Sequence, residues 1–560
     1  MKKISNSTFI IIVAVIILTA VSSFFFYRID LTSDHRYSIS PQTKALMNSV
    51  QEPVSVVVYL NGELNPGFLR LKRATVEMLD ELSIFTKKEF RISYVNPSEA
   101  ATNEEREQKY IELEQRGMTA TSVYEKDKEG KNIQKIIYPW LEISYRGKTI
   151  PVNLLKNIPG LSGEENLNIS IENLEFEMTD ALRRLVNTNV EKIAFLEGHG
   201  ELNEQETVDI SLSLSRYYQI DRGTIGVDPT VLNDYKAIII AKPTQPFSEK
   251  DKFVIDQYIM RGGRVLWLVD GVRISGESLS NGGFTPAVEL DLNLSDILFR
   301  YGVRISPVLV EDVQSALIPV NVAAKGNKPE FQPTPWVYAP LLLTSGEHAI
   351  TRNLAPVKAN FASAIEMVGD DKKLVRNFIL ASSDNTHILQ TPAEISLADM
   401  PDLTDKSYFN RSYVPVGVVL EGEFQSDFTN RMPPKEIANA PAVLTKSAPG
   451  RQIVIADGDI IRNETVGVGE NAKAIPLGFD RYMNQQFGNK DLITNAVLYL
   501  TDNHGWIDLR SKTVALRLLN KKISANQKTK WQIINVAIPP VVLVLFGLLY
   551  QWLRRRKYTR

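Results

Sequence analysis

Cysteine is missing from all 560 residues. A cysteine nucleophile, a disulfide framework and a lipoprotein anchor all need a thiol, so this sequence excludes them. The absence also suits an oxidising compartment, where an unpaired thiol is a liability. The sequence therefore predicts a protein without thiol chemistry.

Motifs of several common enzyme classes are missing as well. The chain has no G-x-x-x-x-G-K-[ST] phosphate loop, no G-x-S-x-G nucleophile elbow and no H-E-x-x-H zinc motif. A zinc site would need histidines that lie far apart in the sequence, so no metal and no cofactor are predicted. The histidines are His35, His199, His348, His387 and His504. We predict that the chain is not its own ATPase and is not an enzyme.

The chain also has almost no net charge. Its 64 lysines and arginines stand against 65 aspartates and glutamates, for a formal net charge of −1. Nucleic-acid-binding proteins show a basic domain or stripe, so nucleic-acid binding is not expected. The contents of 44% apolar and 23% charged residues are those of an ordinary globular protein with two or three domains.

Two long apolar runs depart from this average. Residues 9–27 and 533–553 each approach the roughly 20 residues that span a bilayer, and tryptophans bracket the second run. We predict two transmembrane helices. A cleaved signal peptide is the alternative for the first run, because Ala20 and Ser22 form a small-x-small site. The run continues through three phenylalanines, however, where a mature chain should become polar.

The placement of lysine and arginine predicts the orientation. Lys2 and Lys3 precede the first helix and a basic tail follows the second, so both termini should be cytoplasmic. The long segment between the helices then lies outside the cytoplasm. The predicted order is an N-terminus 1–8, a transmembrane helix 9–27, an α/β domain 28–188, a second α/β domain 189–504, a connector 505–530, a transmembrane helix 533–553 and a basic tail 554–560.

Periodicity predicts the contents of the two α/β domains. In the first, strand, helix and strand form a β-α-β unit with parallel pairing, and IIYPWLEISYRGKTIPVNLL alternates like an antiparallel hairpin. In the second, continuously apolar strands alternate with amphipathic helices, which predicts a parallel sheet covered on both faces. Residues 272–376 are rich in proline and glycine, and we expect loops and small hairpins over one edge.

The stretch FLEGHGE, residues 195–201, carries the residue types of an acid/base site after a predicted strand. Ligands bind at the carboxyl edge of parallel sheets, and Asp270 should end a neighbouring strand at that edge. We therefore predict a ligand-binding or partner-binding pocket at Glu197, His199, Glu201 and Asp270, with no catalytic residue among them. The alternative is that His199 and Glu197 only fix the turn through hydrogen bonds. Replacing His199 with alanine should then disturb folding or partner binding.

Two further aspartates, Asp457 and Asp459 in IVIADGD, should lie on the same edge. Together with the carboxylates above they leave a second function open, that of an enzyme acting on cell-envelope glycan with paired carboxylates as acid and base. A filled edge without an open cleft would count against it. A purely structural scaffold between membrane and envelope is the third class.

The order of six stretches resembles one family along nearly the whole chain. The stretches are RIDLTSDHRYSIS, VVVYLNGELNPGF, IAFLEGHGE, YKAIIIAKP, IVIADGDIIRNE and NKDLITNAVLYLTDNHGWIDLRSK. They resemble the auxiliary, substrate-binding subunit of the gliding-motility ABC transporter of Bacteroidetes, the GldG family. The resemblance implies an inner-membrane protein with two helices and a large periplasmic part.

The resemblance also implies the fold and the partners. The periplasmic part would hold a thioredoxin-like domain and a flavodoxin-like domain similar to class I glutamine amidotransferases. Because the chain has no cysteine, neither the amidotransferase nor the redox activity can be carried over. The implied partners are an ABC permease, a separate cytoplasmic ATPase and membrane lipid, and more than one copy per complex is consistent with it. The expected mechanism is a relay of permease motion through the membrane helices and the connector.

Overall fold

A computed structural model of the chain describes most residues between Ile39 and Tyr558. The described residues are 39–126, 132–187, 189–321, 328, 330–369, 373–437, 442–467, 473–511 and 521–558. The predicted transmembrane helix at 9–27 lies outside them, as does part of the predicted connector. The described residues up to Ser511 belong to one compact unit, and those from Lys521 onward belong to another.

A small sheet of four strands organises the beginning of the first unit. Its helices are α1 (Pro41–Ser49), α2 (Pro66–Phe85), α3 (Asn103–Gln115) and α4 (Gly163–Val186). The strands in this part of the chain are β1 (Val54–Val58), β2 (Phe90–Tyr94), β3 (Thr121–Lys126), β4 (Asn132–Ile137), β5 (Trp140–Tyr145) and β6 (Lys148–Asn153). The small sheet has the order β2-β1-β5-β6, and β3 pairs with β4 in a separate two-stranded sheet.

The local sequence accounts for these elements. Ser40 caps α1 by accepting a hydrogen bond from the Thr43 N–H, and Pro41 occupies the first turn, where its missing N–H costs nothing. β1 and β2 pair in parallel across α2, as the β-α-β pattern predicts. β5 and β6 form the predicted antiparallel hairpin. Its two-residue turn has positive φ at Arg146 and Gly147, as a type I′ turn requires.

A large sheet of ten strands organises the rest of the unit. Its helices are α5 (Val208–Leu214), α6 (Glu249–Met260), α7 (Gly276–Gly282), α8 (Ser295–Arg300) and α9 (Asn489–Thr501). The strands of the large sheet and its attached pairs are β7 (Lys192–Glu197), β8 (Gln219–Thr224), β9 (Ala237–Ala241), β10 (Val265–Leu268), β11 (Val272–Arg273), β12 (Phe284–Glu289), β13 (Val303–Ile305), β14 (Val308–Asp312), β15 (Ser315–Asn321), β16 (Phe331–Thr344), β17 (Val357–Lys358), β18 (Ile365–Met367), β19 (Leu374–Ala381), β20 (Thr386–Gln390), β21 (Ala393–Ser396), β22 (Pro415–Gly422), β23 (Gly450–Ile455), β24 (Thr465–Val466), β25 (Lys473–Ala474), β26 (Phe479–Asp480) and β27 (Gln485–Gln486).

The large sheet is mixed, whereas the sequence pattern predicts a parallel sheet. Along the order β8-β7-β9-β10-β23 neighbouring strands are parallel. From β23 through β22, β19, β16 and β15 they are antiparallel. The prediction is wrong for that half because a central antiparallel strand buried on both faces is as continuously apolar as a parallel one. β22 illustrates this, since the adjacent residues Val418 and Val419, whose side chains lie on opposite faces, are both buried.

Both faces of the large sheet are covered, as the sequence predicts. In β9 every residue is buried, and the residues alternate between two hydrophobic cores. Ile238 and Ile240 belong to the core that contains α6 residues, and Ile239 belongs to the core that contains α9 residues. The period of two follows from the alternation of side chains across a strand.

The proline-rich insertion is more regular than expected. Residues 272–376 contain β16, a strand of 14 residues that extends the large sheet together with β15. Pro333 of β16 lies directly opposite Pro319 of β15. Trp336 and Tyr338 are buried in a core beneath this hairpin. The insertion therefore adds both a sheet extension and a core.

The segment after α9 returns to the small sheet. Trp506 packs against the hydrophobic core formed by α1, α2, α4 and the small sheet, and the Arg183 guanidinium of α4 lies 5.7 Å from the Trp506 ring centre. Arg510 is buried, lies over Phe176 of α4 and donates a hydrogen bond to Asn495 of α9. Residues 505–511 therefore join α9 to the core of the small sheet.

The second unit is described as one long helix, α10 (Lys521–Tyr558). Its portion Gln527–Arg556 is long and apolar enough to cross a membrane, and it is the one such helix in the described residues. Val536, Leu543 and Phe546 are exposed there, as a lipid-facing helix requires. Pro539 and Pro540 lie inside the helix, a position that membrane helices tolerate. The predicted span 533–553 falls within it.

Candidate functional site

Two glycines shape the turn that follows β7. Gly198 has φ 115° and Gly200 has φ 73°, backbone angles that residues with a side chain rarely adopt. A Cβ atom on Gly200 would lie 2.1 Å from Thr244 Oγ1, so the turn leaves no room for one. The Thr244 N–H in turn donates to the His199 carbonyl at 2.8 Å. The turn is held tightly against the segment that follows β9.

His199 lies at the centre of this turn and is only 6% exposed. Its Nδ1 lies 3.0 Å from Glu201 Oε1, and its Nε2 lies 3.2 Å from Asp251 Oδ2 at the start of α6. The His199 backbone N–H donates to the other oxygen of Glu201 at 2.6 Å. The imidazole also stacks on Phe247 with ring centres 3.7 Å apart. Every polar atom of the ring therefore has a carboxylate partner.

These partners set the protonation state of His199. Burial lowers the pKa of the imidazole, but hydrogen bonds to Asp251 and Glu201 together with their charges raise it to about 9. Burial raises the pKa of Asp251, but hydrogen bonds from His199 and Ser248 bring it below its usual value. At neutral pH His199 is a cation with both N–H groups engaged. It therefore clamps two carboxylates and has no free nitrogen to act as a base.

Glu197 does not join this clamp. It accepts a hydrogen bond from Arg222 Nε at 2.7 Å, and Arg222 also donates to the Leu202 carbonyl at 2.6 Å. The pair therefore braces β7 and β8 against the start of the loop after the turn. The structure brings His199 and Glu201 together and places Glu197 in a different interaction.

Asp270 lies in a second cluster, centred on Lys242. The Lys242 ammonium lies 2.7 Å from Asp270 Oδ2 and 2.6 Å from Asp459 Oδ2. Asp270 Oδ1 accepts the Gly458 N–H at 2.5 Å. Lys242 adopts φ 55°, a conformation that costs a non-glycine residue about 1 to 3 kcal/mol. The strand ends of β9, β10 and β23 therefore meet at one ammonium group.

Asp457 is the most enclosed acid of this cluster, with 0% exposure. Burial, followed by the nearby charges of Asp459 and Asp270, raises its pKa well above the usual value. Burial likewise raises the pKa of Asp270, against the opposing charge of Lys242. Asp457 accepts the backbone N–H groups of Asn360 and Asp459, each at 2.8 Å. Asp457 therefore links the end of β23 to the backbone of two neighbouring segments.

The predicted pocket thus divides into two clusters. In the part of the chain that the structure describes, no hydrogen bond or ion pair joins Asp270 to His199. Sequence reasoning missed Asp251 and Lys242. For Asp251 the available signal was its position three residues after Ser248, the N-cap of α6, whose side chain accepts the Asp251 N–H. For Lys242 it was the position directly after a buried strand. The described residues hold no group of three or more His, Asp or Glu that could bind a metal ion.

Comparison with known proteins places the chain in a transport family. A family model described as an ABC-type uncharacterized transport system matches residues 191–496, more than half of the chain. The chain belongs to this family. The match supports an auxiliary component of an ABC transport system and covers both strand-end clusters. A second family model, described as a domain of unknown function, matches residues 33–144 and so covers most of the small sheet.

Two individual proteins extend the comparison. An uncharacterised protein of Borreliella burgdorferi strain B31 is 21% identical over 548 residues, covering 95% of this chain and 94% of its own. The solved structure of the mmIFT52 N-terminal domain matches with a TM-score of 0.32 and 15% identity, covering 56% of this chain and 100% of that domain. This member of the ABC-type transport family therefore has a relative of matching length.

Gly200 offers a direct test of how tightly the turn is built. The variant Gly200→Ala should lower the free energy of unfolding by about 2 kcal/mol, because the added methyl meets Thr244 and the backbone conformation disfavours a side chain. The measurement is thermal unfolding of the full chain in detergent. Gly226→Ala is the matched control, since its Cβ would meet nothing within 4 Å and should change stability little. Equal midpoints for both variants would contradict a tightly held turn.

Proposed function

We propose that the chain is a non-enzymatic accessory subunit of an ABC transport system, anchored in the inner membrane with its folded part in the periplasm. It would couple a permease and a separate ATPase to a periplasmic substrate or partner. The observation that carries the proposal is the exposed apolar helix Gln527–Arg556 on a chain of the transport family. The missing phosphate loop supports a separate ATPase subunit.

The two strand-end clusters support a non-enzymatic role. His199 is held between two carboxylates, and Lys242 is held between Asp270 and Asp459. Groups used for acid/base chemistry must be able to reach a substrate proton, whereas these groups already contact each other. The clusters join strand ends to loops, which supports a structural role for them at this edge of the large sheet.

The finer fold assignments belong to the same proposal. The order β2-β1-β5-β6, with one parallel and two antiparallel pairings, supports a thioredoxin-like fold for the small sheet. The parallel half of the large sheet supports an amidotransferase-like fold. A role in gliding motility is the narrowest form of the proposal and rests on the resemblance of the sequence alone. Loss of surface spreading after deletion of the chain would support it.

A cavity beside Asp270 is the observation that favours the glycan-acting enzyme. It has a volume of about 550 Å³, and its acidic lining residues are Asp270, Glu289, Asp296 and Asp427. However, Asp270 contacts Lys242, and Asp296 lies 2.5 Å from the ammonium of the buried Lys252. Three of the four carboxylates are thus paired with a cation, since Asp427 also lies 2.5 Å from Arg431. We therefore retain the accessory subunit as the proposed function.

The proposed function predicts a change in transport-coupled ATP hydrolysis. The full chain should co-purify from mild detergent with a multi-helix membrane protein and a protein that carries a phosphate loop. Reconstituted in liposomes, that pair should hydrolyse ATP at a rate that changes severalfold when the chain is added. A structural scaffold would co-purify without changing the rate, so the rate separates the two functions.

A helix exchange supplies the control for this experiment. Replacing residues 527–556 with an unrelated single-spanning helix of the same length keeps a membrane anchor and removes the native helix surface. We expect this variant to remain in the membrane fraction and to lose the effect on ATP hydrolysis. No co-purification and no effect of the unmodified chain on the rate would together reject the proposed function.

A further inference from the structure

A cavity of about 950 Å³ lies beside the small sheet, far along the chain from the clusters described above. Its walls come from the beginnings of α2 and α4, from residues 119–123 and from residues 153–157. Ligand sites in proteins have volumes of about 300 to 1,000 Å³ and combine an apolar lining with a few polar groups. The cavity is therefore large enough to hold several residues of another chain.

One wall of the cavity is a strand with an unused edge. Thr121, Ser122 and Val123 of β3 line the cavity. Among the described residues β3 pairs with β4 only, so its other edge has no neighbouring strand. In an antiparallel pair every second residue directs its N–H and C=O away from the partner strand. This edge therefore presents backbone donors and acceptors at intervals of roughly 7 Å.

The edge is attached firmly to the small sheet. Trp140, the first residue of β5, donates a hydrogen bond from Nε1 to the Thr119 carbonyl at 2.8 Å. Trp140 also lines the cavity, together with four other apolar residues. These are Phe68, Pro139, Leu155 and Leu167. A segment lying along β3 would therefore meet a backbone ladder on one side and an apolar floor on the other.

Arg70 supplies the charge of the cavity. Its Nη2 donates to Asn168 at 3.0 Å, and its Nη1 lies 3.6 Å from Glu164, whose side chain is 61% exposed. The buried Nε of Arg70 has no hydrogen-bond partner in the described part of the chain. Lys156 also lines the cavity but is paired with Glu177 at 2.6 Å. Arg70 is the less tightly paired of the two cations, because its carboxylate partner lies 3.6 Å away against 2.6 Å for Lys156, and a guanidinium suits a further carboxylate.

We propose that this cavity binds an extended segment of a partner protein, which adds to β3 as a further strand and places a carboxylate on Arg70. Strand addition obtains affinity from main-chain hydrogen bonds and specificity from pockets for alternate side chains. The segment would carry apolar residues at every second position and one acidic residue. This binding is separate from the coupling to ATP hydrolysis, so either proposal can fail without the other.

The test begins with a phage-displayed library of random heptapeptides, selected against the full chain in detergent micelles after depletion on empty micelles. We expect enriched peptides that alternate apolar and polar residues and contain Asp or Glu. Ala120→Trp, which places an indole in the cavity, should weaken binding of the synthetic peptides about tenfold or more. Ala101→Trp adds the same side chain at an exposed position outside the cavity and should have little effect.

A second pair of variants tests the charge. Arg70→Gln should weaken acidic peptides about tenfold, because a charge-assisted hydrogen bond is lost, and should affect their amide analogues much less. Arg73→Gln removes an exposed charge from the same helix outside the cavity and is the matched control. Equal losses for both variants would show that the effect is general electrostatic attraction and would contradict a carboxylate on Arg70.

Backbone methylation of the peptide tests strand addition without changing the protein. N-methylation at every second residue should abolish binding, and N-methylation at the intervening residues should leave it nearly unchanged. Tolerance of methylation at all positions would overturn the proposal, as would peptides that bind Ala120→Trp and the unmodified chain equally. A library without enriched sequences overturns it too. If peptide binding fell as the concentration of the chain was raised, a second copy of the chain would be the occupant. That result would also contradict the proposal.

Discussion

Replacing His199 with alanine is expected to lower the free energy of unfolding by about 3 to 5 kcal/mol. The substitution removes a buried cation and leaves the carboxylates of Glu201 and Asp251 without their shared partner. Water cannot replace that partner at Glu201, because its side chain is only 1% exposed. Removing one partner of a buried ion pair costs far more than the pair contributes, because the remaining charge stays out of water. Urea unfolding of the full chain in detergent measures the loss.

Two further variants make this expectation specific. His504→Ala removes an exposed histidine and should change stability by less than about 0.5 kcal/mol. The double variant His199→Ala with Asp251→Asn should recover part of the loss, since it removes one of the two uncompensated charges. A loss of the same size in the double variant would contradict the clamp and would point to the stacking on Phe247 instead.

The same clamp makes stability depend on pH in a defined window. The pKa of His199 in the folded chain is about 9, above the value of 6.5 for a free histidine. Because the folded pKa is raised, the stabilisation is fully present below about pH 6.5 and is lost as the pH rises through about 9. The difference in stability between the unmodified chain and His199→Gln should shrink by on the order of 3 kcal/mol over this range. A constant difference from pH 6 to pH 9.5 would contradict a protonated His199.

Replacing Lys242 with methionine should have an effect of similar size at the other cluster. The methionine keeps the apolar part of the side chain but removes the ammonium that Asp270 and Asp459 share. We expect a loss of about 3 to 5 kcal/mol, or a fall in the thermal midpoint on the order of 10 °C. Adding Asp270→Asn and Asp459→Asn to Lys242→Met should restore much of the midpoint.

Lys236→Met is the matched control for this experiment. Lys236 lies just before β9 and pairs with the more exposed Glu191 at 3.2 Å. Pairs at the surface contribute about 0 to 1 kcal/mol, so this variant should remain close to the unmodified chain. If Lys236→Met and Lys242→Met lowered the midpoint equally, the burial of the Lys242 cluster would not be the cause.

Local patterns predict the elements well, and long-range pairs explain most of what was missed. The β-α-β unit of β1, α2 and β2 and the hairpin of β5 and β6 both depend on neighbours in sequence, and the structure contains both. Asp251 lies 52 residues from His199, and Asp459 lies 217 residues from Lys242. No periodicity links positions at such separations, so the sequence predicts which edge is polar but not how its charges pair.

The second kind of error concerns strand direction and the proline-rich insertion. Apolar runs show that a strand is buried on both faces and carry no information on whether its neighbour is parallel. In β16 the prolines favour a loop, since they cannot donate to a ladder, yet Trp336 and Tyr338 between them are buried. In that segment the burial of aromatic side chains prevails over local propensity.

The return of residues 505–511 to the small sheet fixes the order in which the protein can finish folding. Domains fold from the N-terminus as synthesis proceeds, and α4 is complete once Val186 has been made. Its contacts with Trp506 and Arg510 cannot form until more than half of the chain has followed. During that interval part of its final surface stays uncovered. Residues 505–511 thus complete the packing around α4, and the small sheet reaches its final state only when these residues have been synthesised.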